Sequence, residues 1–142
     1  MIAIDSNLLI YAHRAALPEH RRARRAIERA SRSPRGWGIP LPCLAEFWSV
    51  VTHPASAGGP STAEQAKRFL EALITEAGAG LWMPADGFWY RLTQLARDLD
   101  VQGPRIFDLQ IALTAFDNGA SEIWTHDRHF TAFPGIRVVD PL

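Results

Sequence analysis

Five short apolar segments recur along this chain with stretches of helical periodicity between them, and that alternation limits the possible folds more than any other feature. The segments are Ile2–Ile4, WGIPL from Trp37, GLWMP from Gly80, EIWTHD from Glu122 and IRVVD from Ile136. Between them, a helix is expected to start over Asn7 to Ala12. Pro18 is placed to open the next, where its missing N–H costs nothing. There Ala23, Ala26, Ile27 and Ala30 fall at the i, i+3, i+4, i+7 spacing of a buried stripe. PCLAEFWSVVTH predicts a helix with Leu44, Phe47, Trp48 and Val51 on its apolar side. Ser61 with Glu64 three residues later matches a capping box, opening a helix through about Glu76. Further helices are expected over Gly87 to Leu99 and over IFDLQIALTAFDNG, where Ile106, Leu109, Ile111, Ala112, Leu113 and Phe116 lie largely on one side and a glycine fits the stop. SRSPRG, PASAGGPS and QGPR are loops, and a turn with Pro134 and Gly135 separates the last two strands. Strands alternating with helices predict an α/β fold, a mainly parallel sheet with helices on both faces.

At 142 residues the chain is expected to form a single domain, 1–142, with a substantial core. Apolar content of 47% against 21% charged residues excludes a disordered chain. No apolar run approaches the roughly 20 residues of a membrane span, and the N-terminus has no signal-peptide pattern, so a cytoplasmic location is expected. The single cysteine, Cys43, rules out an internal disulfide framework, and its apolar neighbours favour a small buried hydrophobe over a nucleophile. Formal net charge is zero, which does not point globally to a polyanionic partner, but the distribution is uneven. From Arg14 to Arg35 the arginines at 14, 21, 22, 24, 25, 29, 32 and 35 face only Glu19 and Glu28. That segment is either a solvated helix face or a binding surface.

In open parallel sheets ligands bind beyond the C-terminal ends of the strands, where strand order reverses. Asp5 ends the first apolar segment and Asp127 closes EIWTHD, so both are expected at that edge. Glu46 and Asp108 sit among apolar residues, in CLAEFWSVV and RIFDLQIAL, on what should be the inward side of their helices. Taken singly, each has an ordinary explanation. Asp5 and Asp108 could cap helices, worth roughly 1 kcal/mol each; Glu46 could lie on a solvated face; Asp127 could begin a turn. Taken together, four carboxylates at one edge repel each other unless a cation lies between them. A hard divalent ion, Mg²⁺ or Mn²⁺, suits an all-oxygen set, and such sites serve phosphoryl chemistry.

IDSNLLIYA, AEFWSVVTHP with the loop that follows it, IFDLQIALTA and IWTHDRHF, in this order and at these spacings, resemble the PIN-domain nucleases, and among them the VapC-type toxin ribonucleases of bacterial toxin–antitoxin pairs. The resemblance spans essentially the whole chain. It implies a three-layer α/β/α fold with strand order 3-2-1-4-5, placing the strands before Asp5 and Asp127 side by side. It implies catalytic, metal-binding acids at Asp5, Glu46, Asp108 and Asp127. Ser6 and Asn7 stand where the family has small polar residues, and Thr125 where it has a hydroxyl that orients a carboxylate or binds phosphate. The implied activity is Mg²⁺-dependent hydrolysis of RNA phosphodiesters, leaving a 3′-hydroxyl and a 5′-phosphate. The implied partners are RNA, a VapB-like antitoxin and a second copy of the chain. A PIN nuclease of general RNA processing and a non-catalytic RNA- or protein-binding PIN module are the alternatives.

Other residues carry weaker signals. Arg105 and Arg128 neighbour two of the acids and could contact phosphate or balance charge, with Arg105 slightly favoured for phosphate. Five histidines offer only one close pair, His126 and His129, without a cysteine partner, a poor zinc pattern. The tryptophans at 37, 48, 82, 89 and 124 are expected mostly in the core. A phosphatase of the haloacid-dehalogenase type would need an aspartate where Asn7 stands. A receiver-like module would need paired early acids and a downstream lysine.

Overall fold

The structure is a computed structural model describing residues 1–142. Its elements in chain order are β1 (Ile2–Ile4), α1 (Ser6–His13), α2 (His20–Ser31), β2 (Trp37–Pro40), α3 (Leu41–Thr52), α4 (Ala63–Glu71) continuing into a π-helical turn (Ala72–Glu76), β3 (Gly80–Trp82), α5 (Phe88–Asp98), α6 (Arg105–Asp117), β4 (Glu122–Trp124) and β5 (Arg137–Val139). The five strands form one sheet in the order β3-β2-β1-β4-β5, and every pairing is parallel.

The strands alternate their side chains between two cores. Ile4 and Ile39 pack with Leu8, Leu9, Ile27 and Phe47 under α1 to α4. Ala3 and Ile123 pack with Leu109, Ala112 and Leu113 on the α5 and α6 side. Because the side-chain period of a strand is two, three-residue strands are long enough to serve both faces. The result is the α/β/α layering expected from the alternation of segments.

Strand β1 is central. It pairs with β2 on one side and β4 on the other, and Ile4 stands opposite Trp124. The Asp5 N–H continues the ladder to the Trp124 carbonyl at 3.1 Å, and the Thr125 N–H reaches Val139 at 2.9 Å. Order reverses at β1, so Asp5 and Thr125 emerge together at the switch point.

Several local expectations are corrected. Helix α4 is capped by Thr62, whose side chain accepts from the Gln65 N–H while Gln65 reaches back to Thr62, one residue later than the Ser61–Glu64 pair. Ser61 is occupied elsewhere, bonded to His13 Nε2 at 2.8 Å. Pro18 lies in the turn before α2 and does not open it. On α3 the buried residues are Cys43, Phe47 and Val51, a narrow stripe of period four, which leaves Trp48 facing solvent. Trp37 and Trp82 are buried, whereas Trp89 is 72% exposed and Phe116 is also exposed.

The turn expected at Pro134 and Gly135 forms, as the last part of a longer passage from β4 to β5. Parallel neighbours need a crossover of a dozen or so residues, usually a helix. Here the irregular segment 125–136 makes the crossing, anchored by the buried Phe133 and Ile136.

Candidate active site

Asp5 follows the last residue of β1 and caps α1, accepting the Ser6 N–H at 2.7 Å. Helix cap and wall of a site are thus both roles of the same carboxylate. Asp5 is only 4% exposed. Its Oδ2 accepts from Thr125 Oγ1 at 2.7 Å and from Asn7 Nδ2 at 2.8 Å. Thr125 is itself buried and accepts from Asn7 Nδ2 at 2.7 Å and from the Asp127 N–H at 3.0 Å. Asn7 Oδ1 takes the His126 N–H at 3.2 Å. This closed network ties the ends of β1 and β4 together and fixes where Asp127 leaves the chain. No buried side-chain oxygen or nitrogen lacks a partner.

Ser6 connects the first acid to the second. Its hydroxyl donates to Glu46 Oε2 at 2.7 Å and lies 3.3 Å from Asp5 Oδ1. Asp108, in the first turn of α6, accepts the Thr131 N–H at 3.1 Å, and Asp127 accepts the His129 N–H at 2.8 Å. The irregular crossover therefore both carries the fourth acid and holds the third.

All four predicted acids, with Ser6 and Asn7, line one cavity of about 550 Å³, to which Tyr11, Pro104, Phe107 and His126 also contribute. Their burial differs from the expectation. Glu46 and Asp127 are exposed and Asp108 is half-buried, because their helix and loop place them at the mouth while Asp5 forms the floor. Asp127 stands three residues beyond the end of β4. Arg105 opens α6 at the surface and is absent from the lining; its charge acts on Asp108 from a distance. No lysine or arginine lines the cavity.

Electrostatics report the crowding. Burial pushes the Asp5 carboxyl above its ordinary range, the Thr125 and Ser6 donors pull it back, and the carboxylates of Glu46 and Asp108 push it further up. The Asp108 carboxyl is also raised, first by burial and then by Asp127 and Glu46, against the Thr131 N–H and Arg105. Burial is the main cause in both, and the neighbouring carboxylates add to it because like charges disfavour one another's ionised forms. An all-carboxylate cluster of this kind suits a hard divalent cation. As they stand, no three His, Cys, Asp or Glu side chains converge closely enough to hold one. Each carboxylate is instead turned toward a hydroxyl, amide or backbone donor.

Some members of the site are not evident from motifs. Cys43, fully buried, directs its thiol to Asp5 Oδ1 at 3.7 Å, and burial holds that thiol well above its usual range. It lies one helical turn before Glu46, a spacing that shares a face and could have flagged it. Phe107, 62% exposed on the cavity wall, precedes Asp108 directly.

The fold and the acidic cleft at its switch point define the class, and comparison with known proteins agrees. Residues 2–136 match the PIN domain family. The whole chain aligns at 34% identity with VapC ribonuclease Mb2897 of Mycobacterium bovis and with ribonuclease VapC43 of Mycobacterium tuberculosis, covering 96% of each. Ribonuclease VapC48 of M. tuberculosis is 30% identical over 97% of this chain and 95% of its own length. Among solved structures, VapC20 of M. tuberculosis, described as a sarcin-ricin loop cleaving toxin, superposes with a TM-score of 0.69 at 12% identity over 92% of each chain. FitAcB of Neisseria gonorrhoeae does so with a TM-score of 0.59 at 16% identity, over 99% of this chain and 98% of that one. At those identities the structural likeness speaks for the fold alone. The chain belongs to the PIN-domain family, among its VapC ribonucleases.

Proposed function

We propose that this chain is a metal-dependent endoribonuclease, the toxin of a VapBC-type pair, acting through Asp5, Glu46, Asp108 and Asp127. The observation that carries the proposal is the gathering of four carboxylates, two of them with raised affinity for protons, into one open cleft of a chain whose relatives are named ribonucleases. Those four residues would hold the cation, Mg²⁺ or Mn²⁺. When bound, it would offset their clustered charge and polarise a phosphate oxygen.

The chain's own groups supply position. Ser6, Asn7 and Thr125 set the orientation of Asp5, and Ser6 also holds Glu46. Thr125, buried, donates to Asp5 and accepts from Asn7 and the Asp127 N–H, which makes it a positioning residue. The exposed ring of Phe107 offers an unpaired base a face to stack on. Hydrolysis adds water oxygen to phosphorus as the bond to the ribose 3′-oxygen breaks, and that oxygen takes up a proton. The expected ends are a 3′-hydroxyl and a 5′-phosphate. As parts of the same proposal, a VapB-like antitoxin covers the site in the resting complex and the chain acts as a homodimer.

The test is cleavage of a stem-loop RNA by the purified chain with Mg²⁺, with Mn²⁺ and with chelator, followed by chemistry of the ends. Asp5→Asn and Asp108→Asn should each abolish cleavage. Retained cation-dependent cleavage in both variants would falsify the assignment. Co-purification with the product of an adjacent small gene, and loss of cleavage in that complex, tests the antitoxin.

A further inference from the structure

The acidic cleft cannot by itself hold a polyanion: its lining contains four carboxylates and no lysine or arginine. Outside α2, five cations are neutralised where they stand, while Arg14, Arg35, Arg105 and Arg128 have no carboxylate within salt-bridge distance. Lys67 and Arg68 on α4 pair with Glu71 and Glu64, Arg91 and Arg97 on α5 with Asp117 and Asp98, and Arg137 on β5 with Glu122.

Helix α2 concentrates the unpaired ones. It carries arginines at 21, 22, 24, 25 and 29, with Arg32 just past its end, all exposed. Arg32 is paired with Glu28, the one acid in the helix. Arg29 is engaged with the C-terminal segment, donating to the Pro141 carbonyl at 2.9 Å and lying 5.7 Å over the Trp124 ring. Arg21, Arg22, Arg24 and Arg25 have no carboxylate within salt-bridge distance. Three of these four, with His20 and Glu28, line a surface depression of about 570 Å³ that contains no hydrophobic residue. Four unpaired guanidinium groups within five residues repel one another, and a partner of opposite charge relieves that repulsion. Guanidinium forks match phosphate oxygens in pairs, which a solvated lysine face would not.

The same stretch abuts the cleft. His20, the first residue of α2, bonds through Nδ1 to the Tyr11 carbonyl at 2.9 Å. Tyr11 lines the cleft, its ring edge against His126 at a centroid distance of 6.1 Å. Tyr11 and His20 thus join the cleft wall to the start of α2, where these arginines begin.

We propose that Arg21, Arg22, Arg24 and Arg25 form a phosphate-binding flank that holds the RNA backbone beside the cleft. The proposal rests on the ribonuclease function proposed above, and it assigns substrate affinity to α2 and chemistry to the carboxylates. Phosphate contacts are read out as counterion release, so the measurement is RNA affinity as a function of salt. Binding of a stem-loop RNA is titrated in chelator, where the strand stays intact, for wild type, Arg21→Gln/Arg25→Gln, and the quadruple variant that adds Arg22→Gln and Arg24→Gln. The expected slope of log K against log salt falls by roughly 0.7 for each arginine removed. In Mg²⁺ the same variants should raise KM with kcat unchanged. Arg68→Gln/Arg97→Gln, removing arginines that already have carboxylate partners, should leave the slope within error. Melting midpoints, unchanged throughout, show that folding is intact.

An unchanged slope in the quadruple variant overturns the proposal, as does an equal fall in the Arg68→Gln/Arg97→Gln control. RNA affinity that stays intact while antitoxin binding is lost also overturns it, and makes α2 a protein interface. The two proposals fail separately. Wild-type protein that binds RNA with the expected slope yet never cleaves it sinks the nuclease function and leaves the flank standing.

Discussion

At the scale of the residue, Asp5 shows how one side chain can serve structure and chemistry at once. It caps α1, but its burial beside Glu46 and Asp108 makes its ionised form unfavourable. A carboxyl whose proton affinity is higher in the folded than in the unfolded chain makes the native state bind more protons between the two pKa values. Its contribution to stability is complete below the ordinary carboxylate range and is lost as pH rises through the raised folded value. Asp108 has the same sign. In chelator, therefore, the wild-type melting midpoint should fall relative to that of Asp5→Asn as pH is raised from about 4 toward 7. A gap between the two that does not change with pH would contradict that sign. Thr125→Val keeps the shape of a buried side chain but removes the hydroxyl shared by Asp5, Asn7 and the Asp127 N–H. Loss of such an orienting partner costs activity by roughly 10- to 100-fold. Cleavage assays should show that fall, with partial rescue in Thr125→Ser.

At the scale of the element, two contacts govern how helices and strands seat on the sheet. Gly38 in β2 lies under the Trp82 indole. A Cβ there would fall 2.3 Å from the ring and 2.7 Å from the Gly80 carbonyl oxygen. The ring is buried and the carbonyl is main chain, so relief requires β2 and β3 to part. Overpacking of this kind costs roughly 1–3 kcal/mol, and Gly38→Ala should lower the denaturation midpoint accordingly. The second contact is Arg91 of α5 on Asp117 of α6, whose side chain is only 7% exposed. Removing the guanidinium leaves a nearly buried carboxylate without its partner. That should cost roughly 1–3 kcal/mol in Arg91→Ala, measured by chemical denaturation. The helix register behind such contacts is partly readable: the alanine stripe of α2 is buried as its period demands. Trp48 shows the limit, because an apolar residue next to a buried stripe reads the same in sequence whether or not another element arrives to cover it.

At the scale of the whole molecule, a divalent cation bound at the cleft should stabilise the fold as well as permit chemistry. Binding to the folded state alone adds about 2.7 kcal/mol when the ion is at a hundred times its dissociation constant. Wild-type protein should accordingly melt higher in Mg²⁺ than in chelator, and Asp5→Asn should lose most of that difference. No helix is long and apolar enough to cross a membrane. The sequence by itself determined the layered α/β architecture and that Asp5, Glu46, Asp108 and Asp127 gather at one edge of the sheet, where they line one cavity. Those properties rest on local periodicity and on the order of short motifs, which survive without knowledge of neighbours. Only the tertiary structure decided that Asp5 is the floor while Glu46 and Asp127 stand at the mouth. It also decided that Ser6 joins Asp5 to Glu46, and that a helix-free crossover presents Asp127 while its Thr131 N–H holds Asp108. The same holds for α2, whose run of arginines is visible in the chain, whereas their lack of carboxylate partners is not. Burial, hydrogen-bond closure and charge pairing all depend on groups distant in sequence, and strand register and helix packing alone bring those groups together.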